Sequence, residues 1–389
     1  MKILLVNKFY YRRGGDCIVL LNTLDALRRR GHDVAVYAMQ HPLNEPSDYS
    51  SYFADGCDMG GSKVKAFRRI MGMDGVKKSF ARLLDDFGPD VVHLHNIHSY
   101  LSPVVARVAH DRGIRVVWTM HDYKLVCPAY SCLSTDNQVC GQCVGGDKWN
   151  VVRNKCMKGS TAASLAGWAE ARRWNRNTLE QCTDTFICPS RFMAKMMEKD
   201  GFDASKLTVI GNFVNAGGDV ITRREPYYCY VGRLSAEKGV SGLIEVARML
   251  PYTLKIAGTG PDEQRLREQA SGCKNIEFLG QLNSEGVNDL LSRATASVLP
   301  SRWYENNPLG VIESLCAGTP VIGARIGGIP ELIDMQSGLL YNHDNTKALA
   351  GAISTALVMN WDHNIIASRA RARHSEEGHI DKLLQVYQA

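Results

Sequence analysis

The chain of 389 residues has no apolar run close to the roughly 18–20 residues that a membrane-spanning helix needs. Its first apolar run ends at Asn7, which is too early for the hydrophobic core of a secretory signal. Low-complexity tracts and repeats with a period of about 20–50 residues are also absent, which excludes solenoid and propeller architectures. Because 45% of the residues are hydrophobic and 22% are charged, general disorder is excluded as well. The sequence therefore predicts folded domains in the cytoplasm.

No two aspartates stand in an Asp-x-Asp arrangement, so the chain lacks the usual carboxylate clamp for a divalent cation beside a diphosphate. The charge is also unevenly distributed: residues 1–212 carry 29 basic and 21 acidic side chains, whereas residues 213–389 carry 17 and 19. The first half is therefore expected to favour an anionic partner or surface. No recognised nucleic-acid module accompanies this charge, and nucleic acid is not an expected partner.

Short buried strands alternate with helices along the whole chain, a pattern typical of parallel, doubly wound sheets. The first domain opens with a strand at residues 3–6, which is followed by Gly14-Gly15. After a polar stretch at residues 215–226 the alternation restarts. We therefore predict an α/β fold with two Rossmann-like domains, residues 1–213 and residues 214–372. Ligands of such sheets bind at the carboxyl ends of the strands.

A helix that begins at a proline follows one of the buried strands in the second domain. Pro308 occupies the position expected for the first helical residue, and Asn306 or Asn307 is the expected cap. The amides of Leu309 and Gly310 would then be unpaired donors at the positive end of the helix dipole. Such a helix end favours a phosphate or an anionic leaving group.

Two carboxylates flank the start of this helix. Glu305 lies on the preceding loop and Glu313 lies nearly two turns into the helix, so both can face the same crevice. A carboxylate suits the two hydroxyl donors of a ribose. The alternative is that both residues are solvated surface acids.

A second loop, after the strand at residues 227–231, carries two cations. Arg233 offers a planar fork and Lys238 a point charge, and the pair suits two adjacent phosphates; an ordinary solvated loop is the alternative. The turn that contains Gly260 is similar to a dinucleotide-binding fingerprint, but Glu263 occupies the third glycine position and would repel a pyrophosphate. Gly260 is therefore expected to line a nucleotide site that does not bind NAD.

Six motifs occur in order along the chain. They are Gly14-Gly15, His121-Asp122, Gly-Arg-Leu-x3-Lys-Gly at 232–239, Glu-x7-Glu at 305–313, Cys-Ala-Gly-Thr-Pro-Val at 316–321 and Gly-Gly-Ile-Pro-Glu-Leu at 327–332. In these motifs the chain resembles the retaining glycosyltransferases of family 4, over essentially its whole length. The resemblance implies a GT-B fold, in which two facing Rossmann-like domains hold the active site between them. It also implies a last helix near residues 380–387 that crosses back, so that residues 373–389 join the first domain.

The resemblance also implies a role for each motif residue. Arg233 and Lys238 would hold the diphosphate of a nucleotide-sugar donor, and Glu313 would bind the ribose. Glu305 would hold the donor sugar, together with the amides around Asn307, Leu309 and Gly310. Gly14 and Gly15 would approach the phosphate and the acceptor, and His121 would touch the transferred sugar near the reacting carbon. The chain departs from the family pattern at Cys17, where many relatives have Glu.

His121 is one of 11 histidines, and a histidine after a strand is often purely structural. His93, His95 and His98 follow another strand and could equally line the site. We prefer His121 because of its position in Thr-Met-His-Asp, and His95 is the second choice.

The sequence thus predicts a retaining, metal-independent glycosyltransferase that needs no cofactor for catalysis. It would move a hexose or related sugar from a UDP- or GDP-sugar to a saccharide or lipid-linked acceptor in polysaccharide or glycoconjugate biosynthesis. Two alternatives stay open, a non-catalytic protein that binds or senses a nucleotide-sugar and a nucleotide-sugar epimerase on the same fold.

Five cysteines fall between residues 127 and 156. A Cys-x2-Cys pair with further thiols in a long polar segment has the composition of a tetrahedral site for structural zinc. Some members of the family in polysaccharide synthesis are similar here, and this resemblance selects Cys127, Cys140, Cys143 and Cys156 as ligands and leaves Cys132 unused. The alternatives are unliganded thiols and a disulfide formed after purification.

Residues 63–87 mix basic side chains with apolar ones. The apolar residues are Val64, Phe67, Ile70, Met71, Phe80, Leu83 and Leu84. A basic amphipathic stretch can lie on an anionic bilayer, although most such helices only face a core on one side. Lipid-linked acceptors are typical of the family that the chain resembles, so the first domain is expected to associate with the inner face of the membrane.

Overall fold

The structure, a computed structural model, describes residues 1–215 and 217–389. The chain divides into two compact units. The first comprises Met1–Thr135, Cys140–Gly211 and Glu377–Ala389, and the second comprises Asp136–Val139 and Asn212–Glu376. Each unit contains a six-stranded parallel sheet with helices, which confirms the predicted α/β class.

The sheet of the first unit has the order β2-β1-β3-β4-β5-β6. Its strands are β1 Lys2–Val6, β2 Asp33–Tyr37, β3 Val91–Leu94, β4 Arg115–Thr119, β5 Thr185–Cys188 and β6 Leu207–Val209. Four residues of β1 are fully buried, because both faces of a parallel sheet are covered. This explains why the strands read as short continuous apolar runs in the sequence.

The helices of the first unit connect these strands. They are α1 Gly15–Arg29, α2 Lys63–Ile70, α3 Val76–Phe87, α4 Val104–His110, α5 Asn150–Arg153, α6 Thr161–Arg173, α7 Arg176–Gln181 and α8 Arg191–Lys199. The apolar face of α3, with Phe80, Leu83 and Leu84, is buried in the unit. Helix α3 therefore uses its apolar side for the core, which is the alternative stated for a basic amphipathic stretch.

The sheet of the second unit has the order β12-β11-β10-β7-β8-β9. Its strands are β7 Glu225–Val231, β8 Thr253–Ala257, β9 Ile276–Gly280, β10 Ala294–Leu299, β11 Val321–Ala324 and β12 Gly338–Tyr341. Its helices are α9 Val240–Ala247, α10 Glu263–Gln269, α11 Ser284–Arg293, α12 Leu309–Cys316, α13 Thr346–Val358 and α14 His363–Arg373. The last helix, α15, runs over Glu376–Gln388, and Glu377–Ala389 belong to the first unit.

Both sheets change direction next to their first strand. In the first unit the chain moves from β1 to β2 on one side and continues at β3 on the other side of β1. In the second unit it moves from β7 through β8 to β9 and then places β10 on the other side of β7. Ligands of open parallel sheets bind outside the carboxyl ends of the strands at such switch points. The topology therefore marks the loops after β1 and β3, and those after β7 and β10.

Candidate active site

The loop after β7 turns sharply against the end of β10. Gly239 adopts a φ of +72°, and a Cβ atom at this position would lie 2.0 Å from the carbonyl oxygen of Pro300. Only glycine tolerates both the left-handed backbone and this approach. The amide of Arg302 donates to the carbonyl of Glu237 over 2.9 Å and joins the two loops. The residue before the glycine, Lys238, is thereby held beside the segment that follows β10.

Lys238 forms an ion pair with Glu305, and the structure thus joins two residues that the sequence placed on separate loops. Lys238 Nζ donates to Glu305 Oε1 over 2.7 Å, and Ser301 Oγ donates to the same oxygen over 2.5 Å. Burial raises the pKa of Glu305, but the Lys238 ammonium and the Ser301 hydroxyl outweigh burial and leave the pKa below its ordinary value. Glu305 is therefore an ionised buried carboxylate. The Lys238 side chain keeps 20% of its surface exposed and retains N–H donors for an anion.

Helix α12 presents two free amides at its start. It begins at Leu309 with Pro308 as the N-cap, and no side chain caps it. The predictions that Pro308 is the first helical residue and that an asparagine caps the helix are therefore wrong. Val311 N is the first amide to bond back, to the carbonyl of Pro308, and the amides of Leu309 and Gly310 have no partner within the described residues. They offer two donors at the positive end of the dipole.

The asparagine before Pro308, Asn307, hydrogen-bonds to Asn212, which lies in the segment between β6 and β7. Asn307 Oδ1 accepts from the amide of Asn212 over 2.7 Å, and its carbonyl accepts from Asn212 Nδ2 over 2.8 Å. Its side chain is thus occupied, and Asn307 anchors the loop after β10 to the start of the second unit.

Glu313 lies on the first turns of α12, half-buried, and forms no ion pair with the described residues. Burial raises the pKa of its carboxyl group. A carboxylate left without a basic neighbour can accept from two hydroxyl donors.

Two further residues predicted to contact a nucleotide-sugar, Arg233 and Gly260, lie on adjacent loops of the same unit. Arg233 is exposed and forms no ion pair within the described residues, and its carbonyl accepts from Tyr230 Oη over 2.8 Å. The amide of Leu234 donates to the carbonyl of Thr259 over 2.9 Å. A Cβ atom on Gly260 would lie 2.2 Å from the Leu234 carbonyl oxygen, so the two turns are in direct contact.

In the first unit the structure brings both candidate histidines together. His121 follows β4 and His95 follows β3, and His95 Nδ1 lies 2.9 Å from His121 Nε2. His95 is almost fully buried, whereas His121 is half-buried. Burial lowers the pKa of both rings. Both histidines are therefore neutral at neutral pH.

The loop after β1 ends at Gly14, the N-cap of α1, and Gly15 is the first residue of the helix. The Cys17 thiol is buried among Asn7 and Phe9, and burial raises its pKa to about 12. Asp16 follows the glycine pair directly, and none of the sequence motifs marks it. Its carboxylate accepts from Asn96 Nδ2 over 3.1 Å at the switch point between β1 and β3.

Four of the cysteines line one small cavity of about 10 Å³. They are Cys127, Cys140, Cys143 and Cys156. Cys132 is not part of the lining; it hydrogen-bonds to Cys127, and this bond lowers the pKa of Cys127. In the part of the chain that the structure describes, no three His, Cys, Asp or Glu side chains are arranged to hold one metal ion. The cavity has room for about one water-sized group.

Helix α2 carries an exposed apolar and basic surface. Val64, Phe67 and the nearby Met73 expose 70%, 44% and 61% of their surface. The side chains of Lys63, Lys65 and Arg68 surround them and are also exposed. Within the described residues no helix is both long and apolar enough to cross a bilayer.

Family models match both parts of the chain. The model described as Glycosyltransferase Family 4 matches residues 13–217, and the model described as Glycosyl transferases group 1 matches residues 219–373. A GDP-mannose-dependent alpha-mannosyltransferase of Mycolicibacterium smegmatis is 26% identical over 384 residues, which cover 95% of this chain and 92% of the relative.

Two solved structures have the same fold. The lipopolysaccharide outer core galactosyltransferase WaaB superposes with a TM-score of 0.66 at 15% identity over 99% of both chains. Anabaena HepE in complex with UDP-glucose superposes with a TM-score of 0.69 at 15% identity, over 100% of this chain and 99% of HepE. These likenesses confirm the GT-B architecture.

Proposed function

The chain belongs to glycosyltransferase family 4, and from this premise we propose that it is a retaining hexosyltransferase that uses a UDP- or GDP-sugar without a catalytic metal. The observation that carries the proposal is the Lys238–Glu305 ion pair beside the unpaired amides of α12. The exposed Arg233 lies on the same loop as Lys238. A diphosphate that leaves with its charge needs such donors and cations in place before the reaction.

In the proposed reaction the bond between the anomeric carbon of the sugar and the donor phosphate oxygen breaks, and a bond to the acceptor hydroxyl oxygen forms on the same face. The departing phosphate oxygen takes the proton of the acceptor hydroxyl, so no side-chain base is needed. Arg233, Lys238 and the amides of Leu309 and Gly310 stabilise the leaving group. Glu305 holds the donor sugar, Glu313 the ribose, and His121 a sugar oxygen near the reacting carbon. Gly260 lines the nucleotide, and Gly14 and Gly15 line the acceptor side.

The donor is tested first by thermal shift with UDP, GDP, ADP and their sugars, because a bound ligand raises the apparent stability. Transfer is then followed with a labelled donor and a saccharide or lipid-linked acceptor, and the anomeric configuration of the product is read by NMR. We expect a retained configuration and full activity in EDTA. An inverted product, or activity that is lost in EDTA and restored by Mg²⁺ or Mn²⁺, contradicts the respective part of the proposal.

Substitutions separate the alternatives. We expect Lys238→Met to abolish transfer, whereas the matched variant Lys255→Met, which removes a lysine on β8, retains it. Binding of a nucleotide-sugar without turnover of any donor supports a sensing protein. Release of a free epimer without an acceptor supports an epimerase.

We also propose that the surface formed by Val64, Phe67 and the neighbouring basic residues of α2 associates with an anionic bilayer. The basic side chains would contact the negatively charged head groups, and the exposed apolar side chains would insert into the acyl layer beneath them. The saccharide acceptor would then be reached at the membrane. We expect sedimentation with phosphatidylglycerol vesicles and not with phosphatidylcholine vesicles. Phe67→Asp should abolish it, whereas Met335→Asp, at an exposed methionine of the second unit, should not.

Structural zinc in the cysteine cavity is a further part of the proposal: four cysteines line a space of about 10 Å³, and zinc binding would draw their thiols into a ligand set that the described residues do not form without the metal. Its role would be to order the polar segment between β4 and α6, with no part in the reaction. Metal analysis of freshly purified protein tests it. We expect about one zinc per chain, reduced in Cys140→Ser and unchanged in Cys273→Ser. Less than about half an equivalent contradicts the site.

A further inference from the structure

Two buried histidines at the end of β3, His93 and His95, pack against each other in the first unit. His93 Nδ1 lies 2.7 Å from Tyr387 Oη, and His93 Nε2 lies 2.7 Å from Thr119 Oγ1. The His95 ring packs against that of His93 with ring centroids 4.2 Å apart, and its plane lies within 17° of the plane of the His121 ring, as an in-plane hydrogen bond between the two rings requires. The His95–His121 hydrogen bond is therefore held in a rigid, packed setting.

The second ring nitrogen of His95 determines where the proton of that ring lies. His95 Nε2 is buried and has no hydrogen-bond partner within the described residues. A buried N–H group without an acceptor is rarer and more costly than an unused lone pair. Burial also disfavours a doubly protonated, charged ring. The proton of His95 therefore sits on Nδ1, and Nδ1–H donates to His121 Nε2 over 2.9 Å.

This donation fixes the proton of His121 in turn. Because Nε2 of His121 accepts a hydrogen bond, it carries a lone pair, and a neutral ring must then carry its proton on Nδ1. His121 Nδ1 forms no hydrogen bond with the described residues and is not among their buried polar atoms, so it is open to a ligand.

We propose that His95 is a positioning residue that holds His121 in the Nδ1–H form, so that His121 donates a hydrogen bond to an oxygen of the sugar donor and does not act as a base. This inference rests on the proposed transferase function for the nature of the ligand. The tautomer itself follows from the contacts of the two rings alone.

The tautomer is measured by ¹⁵N NMR on histidine-labelled protein without any ligand, with the His121 signals assigned from a His121→Asn variant. We expect a protonated Nδ1 and an unprotonated Nε2 at His121. A protonated Nε2 overturns the inference, whether or not the protein is an active transferase. If the expected tautomer is found in a protein that transfers no sugar, the proposed function fails and the positioning of His121 stands.

Two substitutions of His95 then test the positioning in the reaction. His95→Phe keeps a planar ring but has no donor, whereas the side-chain amide of His95→Asn places a donor near the position of Nδ1. We expect His95→Phe to lower kcat roughly tenfold with little change in KM, and His95→Asn to restore most of it. In His95→Phe the His121 signals should also lose the fixed Nδ1–H pattern.

The control is His98→Phe, because His98 is also buried but stacks on Trp118, lies 3.8 Å from Asp122 and makes no hydrogen bond to His121. If His95 only stabilises the fold, His95→Phe, His95→Asn and His98→Phe should all lower activity by a similar factor, and that result overturns the inference. If His95→Phe does not fold, the wild-type NMR spectrum and the His95→Asn variant still decide it.

Discussion

Removal of Lys238 should destabilise the fold through the carboxylate that it leaves behind. In Lys238→Met, Glu305 stays buried, with 7% of its side chain exposed, and has lost its cation. Loss of one partner of a buried pair costs about 3–5 kcal/mol. Because Lys238 is 20% exposed and the Ser301 hydrogen bond remains, we expect the lower end, about 3 kcal/mol. For a unit of this size that loss corresponds to a decrease in Tm of roughly 6–12 °C.

The pair of variants shows whether the unpaired charge is the cause. Glu305→Gln leaves an ammonium that can turn towards water, so we expect a loss of only about 1 kcal/mol. The double variant Lys238→Met/Glu305→Gln has no unpaired charge and should be more stable than Lys238→Met alone, although it transfers no sugar. Thermal unfolding and sugar transfer are measured on all four proteins.

The pH dependence of the same variants gives the sharper test. In the folded wild type the pKa of Glu305 is below its ordinary value in the unfolded chain. The ionised carboxylate therefore stabilises the fold at any pH above the ordinary pKa, and this stabilisation is lost as the pH falls through the lowered pKa. In Lys238→Met the lysine no longer offsets burial, so the pKa of Glu305 rises. As the pH falls, the folded variant therefore takes up a proton at Glu305 before the unfolded chain does, and this protonation relieves the cost of the unpaired charge. The difference in Tm between the two proteins should therefore narrow from about pH 8 to about pH 5. A difference that does not change over this range, or no difference at all, refutes the reasoning.

Three other predictions follow from single sites. Gly239→Ala should lower the free energy of unfolding by about 1–3 kcal/mol, measured by thermal unfolding, because Gly239 has a φ of +72° and lies against Pro300. The control Gly242→Ala, which has open space around it in α9, should leave this free energy unchanged or raise it slightly. Glu313→Gln should bind UDP roughly tenfold more weakly in calorimetry, and an unchanged Kd contradicts its role at the ribose. The Cys17 thiol, buried with a pKa of about 12, should react with a maleimide only after unfolding, and rapid labelling of the native protein at this residue would contradict its burial.

The sequence predicted the strands well because each is a continuous apolar run that the sheet buries on both faces. β1 and β3 are examples, with every residue except Lys2 buried. Local periodicity does not show what a face packs against. Residues 63–87 read as one basic amphipathic stretch, yet α3 buries its apolar side whereas α2 exposes Val64 and Phe67.

The motifs mark the loops of the candidate site but do not predict the contacts between those loops. Lys238 and Glu305 are 67 residues apart, and His95 and His121 are 26 apart. Each pair meets because parallel strands bring their carboxyl ends to one edge of a sheet, and strand order decides which loops become neighbours. That order depends on connections between elements, which no single motif encodes.

The Lys238–Glu305 pair has a consequence for how a donor is bound. A lysine side chain in solution has many rotamers, and its ordering opposes the binding of an anion. Here the pair, the Gly239 turn and the Ser301 hydrogen bond order both side chains during folding. A diphosphate would therefore meet the Lys238 ammonium and the α12 amides already in position, which is the condition under which electrostatic stabilisation of a leaving group is most effective. Ordering of Lys238 by a carboxylate also fixes that carboxylate, so one ion pair would set the positions of two groups in the proposed reaction.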